Sequence, residues 1–66
     1  MKIQVNGDYI KVAENTSIEG LLAQLDMTQG RVAVEVNADI VPRSQHPQHT
    51  LHEGDRVEIV HAIGGG

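Results

Sequence analysis

Only one stretch of this sequence has the periodicity of a helix, and alternating patterns typical of β-strands lie on both sides of it. Apolar residues recur there at Ile18, Leu21, Leu22 and Leu25, which forms one apolar stripe along a helix. A lone helix can bury such a stripe only against another layer of structure. The chain is therefore expected to fold as one helix packed on one sheet.

Capping residues predict where this helix begins. Ser17 is a good N-cap, and Thr16 with Glu19 forms an alternative capping box one residue earlier. The helix is expected to end near residues 26–27. Gly20 lies inside it and costs roughly 1 kcal/mol relative to alanine, for which a close approach of the helix to the sheet is one explanation.

Alternation of polar and apolar residues predicts the strands. They are expected at residues 2–6, 9–13, 32–36, 40–41 and 56–63. The Asn6-Gly7 pair between the first two is typical of a tight β-hairpin turn. Residues 37–39 predict a second turn. Pro42 cannot donate a ladder hydrogen bond, so the fourth strand is expected at an edge or to end there.

The order β-β-α-β-(β)-β predicts the fold. An N-terminal hairpin, a crossover helix and then a parallel partner strand describe the ubiquitin-like β-grasp, an α+β architecture. The sheet is expected to be mixed, with four to five strands packed on one helix. Residues 1–63 would form this domain, and residues 64–66 a flexible glycine tail.

Size and composition exclude several classes of function. A domain of 66 residues is marginally stable, which argues against a self-contained enzyme with a deep cofactor cavity and favours a module that acts on a partner. There is no cysteine for a disulfide or a thiol nucleophile. The net charge of −4 argues against nucleic acid as a partner. No membrane-spanning stretch or signal peptide is recognisable, so a cytoplasmic location is expected.

The chain ends in Gly64-Gly65-Gly66 directly after a predicted strand. A frayed end is the simplest interpretation of the tail taken alone, but its attachment to a β-grasp favours a function. A carboxylate must be activated before it accepts a nucleophile, most simply as an acyl-adenylate made with ATP, in a site that excludes water. Glycine passes through a narrow channel best because it has no side chain. Gly66 is thus the predicted attachment point for an acyl group or sulfur, and Gly64 and Gly65 would thread the partner's site.

Several segments, in this order and spacing, resemble the ThiS family of sulfur carrier proteins of thiamin biosynthesis. They are Met-x-Ile-x-Val-Asn at the start, Ser17-Ile18 with Leu21-Leu22, Asn-Ala-Asp-Ile-Val-Pro-Arg at residues 37–43, residues 53–59 and the glycine end. The resemblance spans the whole chain. Gly64 is an extra glycine relative to many members, and at His46 many members carry an aromatic residue.

The resemblance implies a carrier rather than an enzyme, with no cofactor of its own. A ThiF-like (E1-like) adenylyltransferase would consume ATP to adenylate the carboxyl of Gly66. A cysteine desulfurase system would supply sulfur to convert it to a thiocarboxylate. A ThiG-like thiazole synthase would then take the sulfur for thiazole formation.

Two other residues are candidates for contact with a partner. Arg43 could belong to a docking surface or could pair with a local acid. His61 lies on the last predicted strand close to the tail, although a strand histidine that flanks a core is the commoner case.

Three histidines lie three residues apart in a segment expected to be polar and irregular, with one short helical turn. They are His46, His49 and His52. A metal site is conceivable at this spacing, but Pro47 breaks any helix that would align the rings. A solvated loop without a metal is therefore the favoured interpretation.

Three other functions stay open from the sequence. The small subunit of molybdopterin synthase would use the same fold and tail. A ubiquitin-like modifier would be joined through its tail to lysines. A plain β-grasp binding module would have an inert tail. The short chain and the Pro42-Arg43 segment favour the thiamin sulfur carrier.

Overall fold

A computed structural model describes residues 1–28 and 31–61 of the chain. Within these ranges the elements are β1 (Lys2–Val5), β2 (Asp8–Lys11), α1 (Ile18–Gln24), β3 (Val32–Val36), β4 (Asp39–Val41), a 3-10 helix (Arg43–Gln45) and β5 (Arg56–His61). The strands form one sheet in the order β2-β1-β5-β3-β4. The β1–β5 pair is parallel, and the other three pairs are antiparallel.

This topology confirms the predicted ubiquitin-like β-grasp, with one helix and a mixed sheet. The parallel partner of β1 is the last strand, β5, and not β3, which directly follows the helix. β4 is an edge strand that ends before Pro42, as predicted. The predicted continuation of β5 to Ile63, the domain limit there and the glycine tail lie outside the described residues.

The core lies between one face of the sheet and α1. Its buried apolar residues are Ile3, Val5, Val12, Ile18, Leu21, Leu22, Val34, Val36, Val41, Leu51, Val57 and Ile59. The helix stripe therefore packs inward as predicted, with Leu25 half-buried at its end. The opposite face of the sheet carries the exposed apolar side chains of Tyr9, Ile40 and Val60.

Local hydrogen bonds explain the limits of α1. Ser17 is the N-cap, as predicted, and its hydroxyl accepts from the backbone N–H of Gly20 at 3.0 Å. The helix ends at Gln24, earlier than expected, and Asp26 already has a φ of 59°, which a helix cannot accommodate.

With seven residues, α1 is far too short to cross a membrane, and the described part of the chain contains no helix that could do so.

Gly20 does not bring the helix close to the sheet, so that explanation of it is wrong. The residue faces solvent. A methyl group placed there would meet the side chains of Thr16 at 3.4 Å and Ser17 at 3.5 Å, and nothing from the sheet.

The segment after β4 packs against the start of the helix. The backbone N–H of Ile18 donates to the carbonyl of His49 at 3.0 Å, and that of Glu19 donates to the carbonyl of His46 at 3.2 Å. Leu51 is buried beneath them. The segment contains the expected short helical turn and is mostly exposed, but it also supports α1, because its carbonyls accept the helix's first free N–H groups.

Candidate functional site at the end of the last strand

The strand β5 leads to the glycine tail and is held unequally along its length. It pairs with β3 from Val57 to His61, but with β1 only at Arg56 and Val57. It therefore has two backbone partners at its start and one at its end. The predicted site residues Gly64, Gly65 and Gly66 lie outside the described residues. From His61 to Gly66 there are five residues, which can reach at most roughly 17 Å when extended.

Where β1 ends, the side chain of Asn6 replaces its backbone as the hydrogen-bonding partner of β5. The backbone turns away at this residue, which has a φ of 49°. Its side-chain amide donates to the carbonyl of Ile59 at 3.1 Å, and its side-chain oxygen accepts from the N–H of Ile59 at 2.8 Å. Its backbone N–H donates to the carbonyl of Val57 at 2.9 Å. The amide group thus replaces the next backbone unit of β1 beside the tail-proximal half of β5.

A second asparagine fastens the other end of β5. Asn37, in the β3–β4 turn, has a φ of 51°. Its side-chain oxygen accepts from the backbone N–H of Arg56, and its side-chain N–H donates to Oδ1 of Asp55, both at 3.0 Å. Two turn asparagines therefore hold the same strand, one at each end. Sequence analysis missed both roles, because the signals at residues 6–7 and 37–39 indicated only turns.

Arg43 is exposed at the start of the 3-10 helix and lines a cavity of about 430 Å³ between α1 and the segment after β4. The cavity wall includes Leu22, Met27 and Val32. Among the described residues, no carboxylate lies within 4.0 Å of the Arg43 guanidinium, so the alternative of a local ion pair is not met there. Arg43 is therefore placed where a partner could contact it.

His61 is the last described residue and is exposed at the end of β5. It lies opposite Val32 in the register of β3 and β5. Because Val32 also lines the cavity beside Arg43, the two candidate contact residues lie at the same end of the sheet.

The three spaced histidines have different environments. His46 is only 5% exposed, and its Nε2 lies 3.1 Å from the carbonyl of Val41, to which the ring N–H donates. The prediction of a solvated loop is therefore wrong for His46, because the ring fills space beneath the helix start. The side chain of His52 is 80% exposed, and His49 is half-buried. Across residues 1–28 and 31–61, no three histidine or acidic side chains are close enough to hold a metal ion.

The outer face of the sheet combines apolar and charged side chains. Glu35 of β3 lies opposite Glu58 of β5, and Val60 lies opposite Ala33. Exposed Ile40 is the register neighbour of Glu35 on β4. This face adjoins the end of β5 and carries charges of both signs, because Lys2 and Arg56 point to the same side of the sheet as the two glutamates.

Comparison with known proteins places this geometry in a family. The sequence profile of the ThiS family matches residues 3–66. The sulfur carrier protein ThiS of Escherichia coli is 36% identical over 66 residues, which cover all of both chains. The crystal structure of the thiamine biosynthesis protein ThiS from Geobacter metallireducens matches with a TM-score of 0.86 and 35% identity, again over both whole chains. A thiazole synthase of Paramagnetospirillum magneticum is 41% identical over this whole chain, which spans only about a fifth of that protein's length.

Proposed function

This chain belongs to the ThiS family, and we propose that it is a sulfur carrier protein of thiamin biosynthesis whose reactive group is the terminal carboxyl of Gly66. The observation that carries the proposal is the match of the entire chain to the E. coli sulfur carrier protein over that protein's whole length. The same match supports a carrier role rather than an enzymatic one.

The arrangement of the fold supports a division between body and tail. β5 is the central strand of the sheet, and its inward side chains Val57 and Ile59 are buried. The body can therefore dock as a rigid unit that presents the end of β5 to a partner. Glycine at the last three positions suits entry into a narrow site, because a backbone without side chains needs the smallest channel.

The proposed chemistry has three steps, and the chain supplies only its carboxyl group. An oxygen of the Gly66 carboxylate attacks the α-phosphorus of ATP in a ThiF-like adenylyltransferase, and pyrophosphate leaves. The terminal sulfur of a persulfide provided by a cysteine desulfurase system then attacks the acyl carbon, and AMP leaves. A thiol such as free cysteine cleaves the resulting acyl disulfide, which leaves the thiocarboxylate on the chain and a disulfide as the other product. The thiocarboxylate donates its sulfur to the thiazole under construction. The chain itself binds no cofactor in this scheme.

We further propose a ThiG-like thiazole synthase as the recipient of the sulfur. Two proteins named thiazole synthase, from Paramagnetospirillum magneticum and Magnetococcus marinus, match this whole chain at 41% and 42% identity. In each, the matching part is 20% of the protein. A carrier-like segment within a protein of that name supports a direct working relationship between the two.

Intact-mass measurement tests the carrier function. The full chain is incubated with ATP, a ThiF-like adenylyltransferase, a cysteine desulfurase and cysteine, and an oxygen-to-sulfur mass gain is expected. A variant that lacks Gly65 and Gly66, and therefore ends in a single glycine, is the control. It should melt at the same temperature as the full chain and gain no sulfur. No mass gain in the full chain, or a covalent conjugate to another protein instead, would contradict the proposal.

A further inference from the structure

We propose that Asn6 is a positioning residue for the tail: its side-chain amide fastens β5 at Ile59 and thereby fixes the part of the strand from which residues 62–66 continue. The inference rests on the proposed function, because the position of the tail matters only if its end must enter a partner's active site. It assigns to Asn6 a role in carboxyl activation although this residue lies far from the carboxyl in sequence.

The first step of the argument is the unequal support of β5. On the edge that faces β1, backbone pairing stops at Val57. The next backbone groups that point to this edge are the N–H and carbonyl of Ile59, and both are satisfied by the Asn6 side chain at 2.8 Å and 3.1 Å. Asn6 is thus the last described attachment of β5 on this edge before the tail.

The second step is that the turn alone does not require asparagine. A φ of 49° is equally open to glycine. What glycine cannot provide is a planar group that donates to one backbone atom and accepts from another at the same residue. Aspartate could accept from the N–H of Ile59 but could not donate to its carbonyl. The pair of hydrogen bonds to Ile59 is therefore specific to the asparagine side chain.

The third step links this attachment to activity. Without the Asn6 amide, β5 is held beyond Val57 only by β3, and its end can separate from the sheet more easily. Each residue released in this way must be ordered again when the tail enters a partner site. Ordering about one extra backbone residue corresponds to roughly a tenfold fall in the productive population. The fall should appear in kcat for adenylation, because the docking surfaces of the body are unchanged.

The chain provides a matched control for this role. Asn37 has nearly the same φ as Asn6, 51° against 49°, and its side chain also makes two hydrogen bonds at β5. It acts on Asp55 and Arg56, at the end of β5 remote from the tail. Asn6→Gly and Asn37→Gly both keep the turn conformation and both remove two side-chain hydrogen bonds. They differ in which end of β5 is released.

The test measures ATP–pyrophosphate exchange by a ThiF-like adenylyltransferase, with the full chain as the variable substrate. Asn6→Gly should lower kcat about tenfold with KM within about twofold of the unmodified chain. Asn37→Gly should leave kcat within about twofold, even though both variants lose thermal stability. Asn6→Asp, which keeps one of the two bonds, should lie between Asn6→Gly and the unmodified chain and is the substitute if Asn6→Gly does not fold. Equal losses in kcat for Asn6→Gly and Asn37→Gly, or no loss for Asn6→Gly, would overturn the inference.

A second readout separates this inference from the proposed function. Amide hydrogen exchange in the free protein should show lost protection at Ile59 in Asn6→Gly and retained protection there in Asn37→Gly. Protection of Ile59 that survives in Asn6→Gly would overturn the role of Asn6 whatever the partner does. An unmodified chain that supports no pyrophosphate exchange would instead contradict the proposed function, and the positioning role would fall with it.

Discussion

The two hairpin turns of this molecule have one conformation and two different sequences. In the β1–β2 turn, Asn6 and Gly7 have φ values of 49° and 90°. In the β3–β4 turn, Asn37 and Ala38 have φ values of 51° and 74°. Both turns have asparagine at the first of these two positions, but only the β1–β2 turn has glycine at the second. The comparison teaches that asparagine serves β5 in both turns, whereas the second residue only has to tolerate the left-handed region.

The second turn carries backbone strain because its second residue is alanine rather than glycine. An L-residue with a side chain in the left-handed region costs roughly 1–2 kcal/mol, and Ala38 is such a residue while Gly7 is not. At its second position the turn near the tail is therefore free of this strain, whereas the remote turn is strained there. The following predictions test this difference, from the largest expected effect to the smallest.

The largest effect is expected from Gly7→Val. A β-branched residue at a φ of 90° is strained whatever space surrounds it, and we expect the free energy of unfolding to fall by about 2–3 kcal/mol. Urea denaturation followed by circular dichroism would measure it. Ala38→Val is the matched control and should cost clearly less, because Ala38 already carries part of the strain. Equal costs at the two positions would contradict the comparison.

Asn6→Ala should cost about 2 kcal/mol, since two side-chain hydrogen bonds to Ile59 are lost at about 1 kcal/mol each. Asn6→Gly should be more stable than Asn6→Ala by about 1 kcal/mol, because glycine accepts the left-handed conformation. The same denaturation measurement applies to both. If the two variants were equally stable, the turn strain at residue 6 would be smaller than the comparison requires.

Ala38→Gly should stabilise the protein by about 1 kcal/mol, because it removes the left-handed strain from the second turn. The expected sign is unusual, since glycine normally destabilises a folded chain through the entropy of its unfolded state. A rise in the urea midpoint with an unchanged slope would support the prediction. A lower midpoint would mean that Ala38 is not strained.

Gly20→Ala should also stabilise the protein, by about 0.5–1 kcal/mol, but for the opposite reason. Gly20 lies in α1 with ordinary backbone angles and an exposed surface, so alanine gains helix propensity there. Gly20→Ala is the control for Ala38→Gly, because it removes a glycine where the other variant introduces one. Together the two variants show whether conformation at each site, rather than glycine content, determines the change in melting temperature.

Much of the fold could be predicted from the sequence because its signals are local. Alternation and the leucine stripe predicted the strands, the helix and the core face, and Asn6-Gly7 predicted the first turn. The link from Asn6 to Ile59 spans 53 residues, and no local pattern reports such a contact. The burial of His46 was missed for the same reason. Its ring is covered by parts of the chain that its polar neighbours in sequence do not reveal.

The position of the sulfur tests the central claim most directly. Trypsin cleavage after Arg56 releases residues 57–66, which contain the C-terminus and no lysine. After incubation with ATP, the adenylyltransferase, the desulfurase and cysteine, tandem mass spectrometry should place one oxygen-to-sulfur exchange at Gly66. An unmodified 57–66 peptide, or a new mass on Lys2 or Lys11 instead, would contradict the account.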